Sequence, residues 1–345
     1  MQTPAHTPIS KIGKFGLIRH IADTLTYKEG ATLQGIGTEA AAMLYRESVT
    51  VSAQALFLEG VHFDLIYTPL QHLGYKVAVR ALGQVMAMNA TPRHLLVSVG
   101  LSKRFYVEDV ELLFQGVEVA CCEYRVEVAG LDFESSYTGL TISITAIGEV
   151  EKADLVTIVG GKSTDLLCIT GNLGAAYMGL QLLEREKALF SSAEKAMPQL
   201  QGKEYILQRY LRPILCCKLF TILRREEIKP TSMCLLTNGL AHGVQALAMA
   251  SGCGAKIYVD KIPIASKTFE MAQELHFDAL LCAMNGGDDF EFLFTVPVNM
   301  YETVVREAPV DVVGHLCDAS HGTVLITPDG NMVPIRSPGW GDDVS

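Results

Sequence analysis

The sequence predicts a two-domain α/β protein. Three observations carry this expectation. The chain has 345 residues and is 49% hydrophobic, enough for more than one core. Both halves alternate short β-branched or apolar runs with longer stretches of helical periodicity, the pattern of α/β layers around sheets. Between the halves, near residues 150–164, the periodicity breaks at a glycine-containing segment, IVGGKST. The expected domains are therefore residues 1–150 and 151–345.

The elements follow in order. Residues 14–25 read as a short amphipathic helix, and GIGTEAAAM (35–43) as a glycine turn leading into strands. VTVSAQALFLEG (49–60) is β-branched and apolar, so a buried strand is expected. Residues 70–90 have helical periodicity and stop at Asn89-Ala90-Thr91-Pro92. HLLVSVGL (94–101) is a strand, 107–124 a helix and RVEVAG (125–130) a short strand. LDFESSYTG (131–139) reads as a loop, and LTISITAIGEV (140–150) as the closing strand of the first half. In the second half DLLCITG (165–171) is a strand, GAAYMGLQLLERE (174–186) a helix and 186–203 an irregular polar connection. Residues 204–226 are helical with a break at Pro213, SMCLLTNG (232–239) is strand and turn, and GLAHGVQALAMASG (239–252) is a helix with glycine after its end. Strands and helices alternate from there to the end.

Charge and composition exclude several functions. The formal net charge is −10, with 28 basic and 38 acidic residues and no Lys/Arg-rich run. Such a chain repels nucleic-acid backbones and anionic membranes. The first residues, MQTPAHTPISK, contain no apolar core of a signal peptide, and no run of about 18 apolar residues suits a membrane span. A cytoplasmic protein is expected. The nine cysteines show neither a C-x-x-C nor zinc-ligand spacing, so reduced thiols packed as small hydrophobes are expected. GGKST lacks the first glycine of a phosphate-binding loop and reads as an interdomain turn.

Several segments resemble the thiamine-monophosphate kinase family, within the larger aminoimidazole-ribonucleotide-synthetase-like superfamily. They are LEGVHFD (58–64), GYK (74–76), AMNATP (87–92), the strand–helix pair at 168–185, RYLRP (209–213), NGL (238–240) and NGGDDFEFLFTVP (285–297), in order along nearly the whole chain. The resemblance implies an N-terminal domain whose sheet pairs with that of a second subunit, and a C-terminal α/β domain. It implies transfer of the γ-phosphoryl group of ATP to thiamine monophosphate, with Mg²⁺ held by aspartates. Such a site needs several acids because catalysis is mostly positioning and electrostatic stabilisation. Two unit charges about 4 Å apart repel by roughly 4 kcal/mol at an effective dielectric of about 20.

This sequence departs from the family at those acids. The GIGDD motif becomes Gly35-Ile36-Gly37-Thr38-Glu39, and a Ser/Thr-Thr-Asp motif falls on Ala53-Gln54-Ala55. Asn-x-Ser-Asp falls on Ala81-Leu82-Gly83-Gln84, and Gly-Gly-Asp-Thr-Thr on Gly130-Leu131-Asp132-Phe133-Glu134. Ser-Asp-Gly-Leu-x-x-Asp becomes Thr237-Asn238-Gly239-Leu240, ending at Gly243, and an expected arginine aligns with Ile158. Asp132 and Glu39 are the carboxylates that remain for metal, while Gln84 and Asn238 offer neutral oxygens toward a nucleotide. Arg80 stands one helical turn before Gln84, on a face shared with Lys76. There it is either a fixed cation that partly replaces Mg²⁺ or a solvent-facing side chain.

For thiamine phosphate the resemblance assigns His62, Asp288 and Trp340. An aromatic face and a carboxylate suit a cationic thiazolium. Each has an ordinary alternative: His62 as a loop histidine, Asp288-Asp289 as turn residues before a strand, Trp340 as an anchor for the tail, and Glu39 and Glu134 as solvated acids. Three functions remain open: a kinase of weak or no activity, a non-catalytic thiamine-phosphate or nucleotide binder, and a degenerate relative acting as a dimerisation partner. The partners are thus thiamine phosphate, nucleotide, and a second copy or a relative.

Overall fold

The computed structural model describes residues 7–26, 28, 30, 32–34, 36, 42–43, 48–192 and 199–337. Contacts group the chain into two compact units, one of residues 1–86 and 90–155, the other of residues 87–89 and 156–345. The overall fold is mixed α/β, with the two-domain arrangement expected from the sequence.

The first unit contains α1 (Ile9–Thr24), β1 (Thr32–Gln34), β2 (Ala42–Met43), β3 (Val49–Leu58), α2 (Leu70–Met86), β4 (Thr91–Leu101), α3 (Val107–Tyr124), β5 (Glu127–Ser135) and β6 (Thr141–Val150). Four strands form a sheet in the order β3-β6-β4-β5, with β4 and β5 parallel and the other pairs antiparallel. The inward side chains Leu95, Val97, Val99, Ile142, Ile144 and Ala146 are buried, together with Leu73, Val77, Leu82, Leu113 and Phe114 from α2 and α3. Among the described residues, the side chains on the other face of the sheet are exposed or half-buried. Burial alternates with a period of two along β3 and β6, and Leu56 on β3 is 52% exposed.

β3 is therefore an edge strand buried on one face only. A continuous apolar run was expected to be buried throughout, and tertiary placement overrides that expectation. A second correction concerns 131–135, expected as loop. These residues continue β5, because Leu131 to Ser135 pair in register with Val97 to Leu101. Backbone pairing there outweighs the turn-like composition.

Helices α2 and α3 touch backbone to backbone. A Cβ on Gly74 would be driven into the carbonyl oxygen of Leu113, and one on Gly116 into that of Gln71. The contact is reciprocal, so neither helix can move away without opening the other's groove. Asp109 in the first turn of α3 accepts from the Tyr106 N–H at 2.9 Å and complements the helix dipole.

The second unit contains β7 (Leu166–Thr170), α4 (Ala175–Ser192), α5 (Glu204–Leu211), α6 (Cys217–Arg225), β8 (Ser232–Leu235), α7 (Gly239–Ala250), β9 (Gly254–Tyr258), α8 (Ser266–Leu275), α9 (Ala279–Asn285), β10 (Phe292–Val296), α10 (Tyr301–Glu307), β11 (Val310–Cys317), β12 (Thr323–Ile326) and β13 (Met332–Pro334). Its seven-stranded sheet runs β13-β12-β9-β11-β7-β10-β8. All five residues of β10 are buried, as a central strand covered on both faces requires. α4 extends to Ser192, past the expected end at 186, so part of the expected irregular connection is helix. The break at Pro213 falls between α5 and α6 as expected.

All nine cysteines are free thiols. Burial pushes Cys168 up to about 12 and Cys282 up to about 11, so these thiols stay protonated. Among the described residues, no helix is long and apolar enough to cross a membrane.

The reciprocal glycine contact generates a prediction. Gly74→Ala or Gly116→Ala should destabilise the protein by about 2 kcal/mol, because overpacking exceeds the helix-propensity gain of about 1 kcal/mol. Urea unfolding checks this, and a stabilised variant would show that the helices can separate freely.

Candidate functional site

In the second unit, three connections gather at one end of the sheet. β10 is antiparallel to both β7 and β8, so its start lies beside the ends of those two strands. The connections are 171–174 after β7, 236–238 after β8, and 286–291 before β10. Backbone hydrogen bonds join the last two. Asp288 N–H donates to Thr237 O at 3.0 Å, Phe290 N–H to Leu236 O at 3.0 Å, and Leu236 N–H to Glu291 O at 2.8 Å.

Asn238 and Asp288, both singled out from the sequence, thus lie on adjoining connections. Asn238 is exposed at the start of α7 and its side chain makes no cap bond to that helix. Asp288 is half-buried and has φ of +58°. It is neither in β10 nor a simple entry to it, since the strand begins four residues later.

Behind these connections lies a buried charge cluster. Arg209 on α5 donates from Nη2 to Glu291 Oε1 at 2.8 Å, to Asn172 O at 2.9 Å and to Asp289 O at 3.2 Å. Glu291 Oε2 accepts from Thr170 Oγ1 at 2.5 Å, and Thr170 Oγ1 accepts from Phe292 N–H at 2.9 Å. The Asp289 carboxylate accepts from Gly174 N–H at 2.8 Å and Ala176 N–H at 3.3 Å, at the start of α4. At Gly171 (φ +59°) any Cβ would meet the Glu291 carboxylate, so only glycine fits.

Burial pushes Asp289 up to about 7, against the opposing pull of Arg209 and the two amides. Burial also raises Glu291, with Arg209 pulling the other way. One guanidinium shared by two enclosed carboxylates cannot hold both fully ionised at ordinary carboxylate values. The sequence signalled these residues only as parts of RYLRP and NGGDDFEF. Their pairing spans about eighty residues, which no local pattern encodes.

In the first unit, His62 is exposed in the turn after β3. Its Nδ1 accepts from Leu58 N–H at 3.1 Å, and its ring tilts against Phe57 with centroids 5.7 Å apart. With Nδ1 engaged as an acceptor, Nε2 is the ring nitrogen left to face a ligand. Glu59 in the same turn accepts from Leu140 N–H at 2.8 Å and pairs with Arg104.

Arg80 and Gln84 occupy a half-buried stripe of α2, so Arg80 is not simply solvent-facing. The side-chain oxygen of Gln84 is enclosed without a hydrogen-bond partner, leaving an acceptor to be filled. Asp132 lies in β5, not in a loop, and is exposed. Its neighbour Phe133 is buried and meets the Phe114 ring edge-on at 5.9 Å, so Asp132 and Glu134 face the exposed or half-buried side of the sheet. Arg80 and Gln84 belong to the helical layer, and the structure does not bring them together with Asp132. Lys76 on α2 is 3% exposed, further inside than Arg80. Glu39 and Trp340 lie outside the described residues.

Two positions where the resemblance expects an acid are sealed by packing. Ala55 is 7% exposed, and a Cβ on Gly243 would strike the buried side chain of Leu236. Among the described residues, no group of three or more His, Cys, Asp or Glu side chains could hold a metal ion.

Comparison with known proteins places this architecture. Residues 34–150 match the model of the AIR synthase related protein, N-terminal domain family. The thiamine-monophosphate kinase of Bacillus subtilis (strain 168) is 25% identical over 338 residues, covering 95% of this chain and 98% of the relative. The crystal structure of thiamine-monophosphate kinase from Stenotrophomonas maltophilia K279a superposes with TM-score 0.76 at 24% identity, over 92% of this chain and 96% of that one. The structure of AaThiL complexed with AMPPCP and TMP has TM-score 0.69 at 25% identity, over 96% of each chain. Fold and sequence together define a two-domain protein of the AIR-synthase-related superfamily. Along nearly its whole length the chain is similar to thiamine-monophosphate kinases.

Asp289 yields a pH prediction. Its folded value, about 7, lies above an ordinary carboxylate near 4, so the unfolded chain ionises first. The stability it contributes is full below about pH 4 and is lost as pH rises to about 7, by at most about 1.4 kcal/mol per pH unit. The stability of Asp289→Asn minus that of the unchanged protein should therefore grow across that window and level off above about pH 8. Urea unfolding at several pH values measures it, and a difference that stays flat would contradict the burial of an ionisable Asp289.

Proposed function

We propose that the chain binds thiamine monophosphate and a nucleotide and transfers the γ-phosphoryl group of ATP to thiamine monophosphate slowly. The observation that carries this is its agreement with a thiamine-monophosphate kinase along 95% of its length. AaThiL was solved with AMPPCP, a nucleotide analogue, and TMP, taken here as thiamine monophosphate, which supports both ligand classes.

His62 presents an Nε2–H donor to a ligand oxygen, and Asp288 presents a carboxylate to a cationic ring. Gln84 offers an unfilled acceptor and Asn238 an exposed amide on the nucleotide side, with Arg80 as a fixed cation on the Gln84 stripe. Slowness follows from the donor set. Thr38, Ala55, Gln84, Asn238 and Gly243 stand where the resemblance expects acids; Ala55 is buried, and a side chain at Gly243 would have to displace Leu236. The described residues therefore position substrates, and no step is assigned to a metal held by the protein. The exposed or half-buried face of the first unit's sheet, rich in small polar and aliphatic side chains such as Ser52, Gln54, Leu56, Ser143 and Thr145, is the surface on which a second copy or a relative would pair.

Two measurements test this. Thiamine diphosphate formation from thiamine monophosphate and Mg-ATP should be detectable by chromatography. Its turnover should lie more than a hundredfold below that of a relative with intact aspartates, a barrier difference above roughly 2.7 kcal/mol. Turnover within a hundredfold would show that fewer carboxylates suffice, and no product with no binding would reject the function. Separately, His62→Ala should weaken thiamine monophosphate binding by about tenfold, about 1.4 kcal/mol. His62→Gln, which keeps an N–H donor at a similar reach, should recover most of it. Calorimetry showing equal affinity for all three proteins would remove His62 from the site.

A further inference from the structure

The 286–291 connection holds an unfavourable backbone. Asp288 and Phe290 have φ of +58° and +52°, and Gly287 between Gly286 and Asp288 has φ of +78°. A left-handed aspartate is tolerable, but a bulky aromatic residue there is an outlier. Each such residue costs about 1–3 kcal/mol and persists only where its surroundings over-determine it. Phe290 is fully buried, so its side chain has nowhere else to go.

Arg209 supplies much of that over-determination. Its Nη2 contacts reach both connections at once, through the carbonyl of Asn172 after β7 and the carbonyl of Asp289 before β10. The ion pair with Glu291 fixes the guanidinium between them. Its Nε is buried with no acceptor, so the side chain keeps this orientation despite an unsatisfied donor. A lysine would keep the charge for Glu291, but its shorter side chain ends short of the point from which Nη2 reaches both carbonyls and the carboxylate.

We propose that Arg209 is a positioning residue: it holds the connection bearing Asp288, and the Thr237–Asn238 turn hydrogen-bonded to it, in the geometry that receives thiamine phosphate. This deepens the binding function proposed above and rests on it for the ligand's identity. Arg209 itself need not touch the ligand. It acts through the backbone bonds from Asp288 N–H to Thr237 O and from Phe290 N–H to Leu236 O.

The test uses the full chain with Arg209→Lys, Glu291→Gln and, as a control, Val313→Ala. Val313 is a fully buried core residue of β11 in the same sheet, whose truncation lowers stability without touching the connection. Well below the melting temperature of each variant, three quantities are read: the thiamine monophosphate Kd, the KM and kcat of any turnover, and hydrogen exchange of the Asp288 and Phe290 amides. Arg209→Lys should raise Kd at least tenfold, raise KM more than it lowers kcat, and speed exchange at those two amides at least tenfold. Val313→Ala should change each less than twofold. Should Arg209→Lys fail to fold, Glu291→Gln, which leaves the guanidinium less firmly held, should show the same pattern in weaker form. Kd and exchange within twofold of the unchanged protein in the folded variant would overturn the proposal. If the unchanged protein binds no thiamine monophosphate, the function proposed above falls and exchange alone decides: faster exchange in Arg209→Lys but not in Val313→Ala upholds the positioning role, and equal exchange ends it.

Discussion

A single guanidinium enclosed between two carboxylates is the constraint on which the second unit's strand ends depend. Removing one partner from a buried ion pair typically costs about 3–5 kcal/mol, because the other charge is left without compensation. Here the cost would be spread over more than a pair. Glu291 is tied to Thr170 on the neighbouring strand, and Asp289 to the first turn of α4. The same few residues therefore set the end of β7, the start of β10 and the entry to α4. The connection after β8 joins the group through backbone bonds alone. Strain at Asp288 and Phe290 is sustained because every flanking residue is already fixed.

The first unit solves a different problem with different means. Its helical layer is locked by shape, with two glycines letting the backbones of α2 and α3 meet. Tyr75 of α2 also donates to the Glu123 carboxylate of α3 at 2.9 Å, and most of α2 is buried. The opposite face of its sheet is left to small polar and half-exposed aliphatic side chains. Asp132 belongs to that face, opposite Ser98 in the ladder. Its setting is thus an exposed sheet row, quite unlike the enclosed setting of Asp289, although both are aspartates beside aromatic residues in sequence.

Local pattern made most elements legible. The helix at 107–124 was read to the residue, and the strands at 49–58, 141–150 and 166–170 within one or two positions. What failed were segments whose fate is decided by partners far away in sequence. LDFES has turn-like composition, yet pairing with β4 extends it as strand. The run at 49–58 is an edge strand because it pairs with β6 alone, and its burial alternates because one face packs on the helices. Among the candidate residues, His62, Asn238 and Asp288 were named from the motifs that carry them. Arg209, Asp289 and Glu291 were visible only as letters in two segments eighty residues apart, because nothing local shows which acid a buried arginine will meet.

Burial also separates the acids this chain has kept from those it lacks. Asp289 and Glu291 are 1% and 3% exposed and are woven into backbone and side-chain hydrogen bonds. Substituting Glu291 would remove the side-chain partner of Arg209, and substituting Asp289 would free the first amides of α4. The positions where the resemblance expects further acids carry no such duty. Asn238 is exposed and Gln84 half-buried, and substitutions at such places usually change stability little. At Ala55 and Gly243 the surroundings have closed over the site, and a carboxylate would now be buried unpaired or collide with Leu236. The fold therefore does not require acids at these positions. A neutral acceptor on Gln84 and a guanidinium on Arg80 still suit an anionic ligand, but they cannot gather several cations around two phosphate esters. On the function proposed above, that asymmetry would favour holding thiamine phosphate over phosphorylating it.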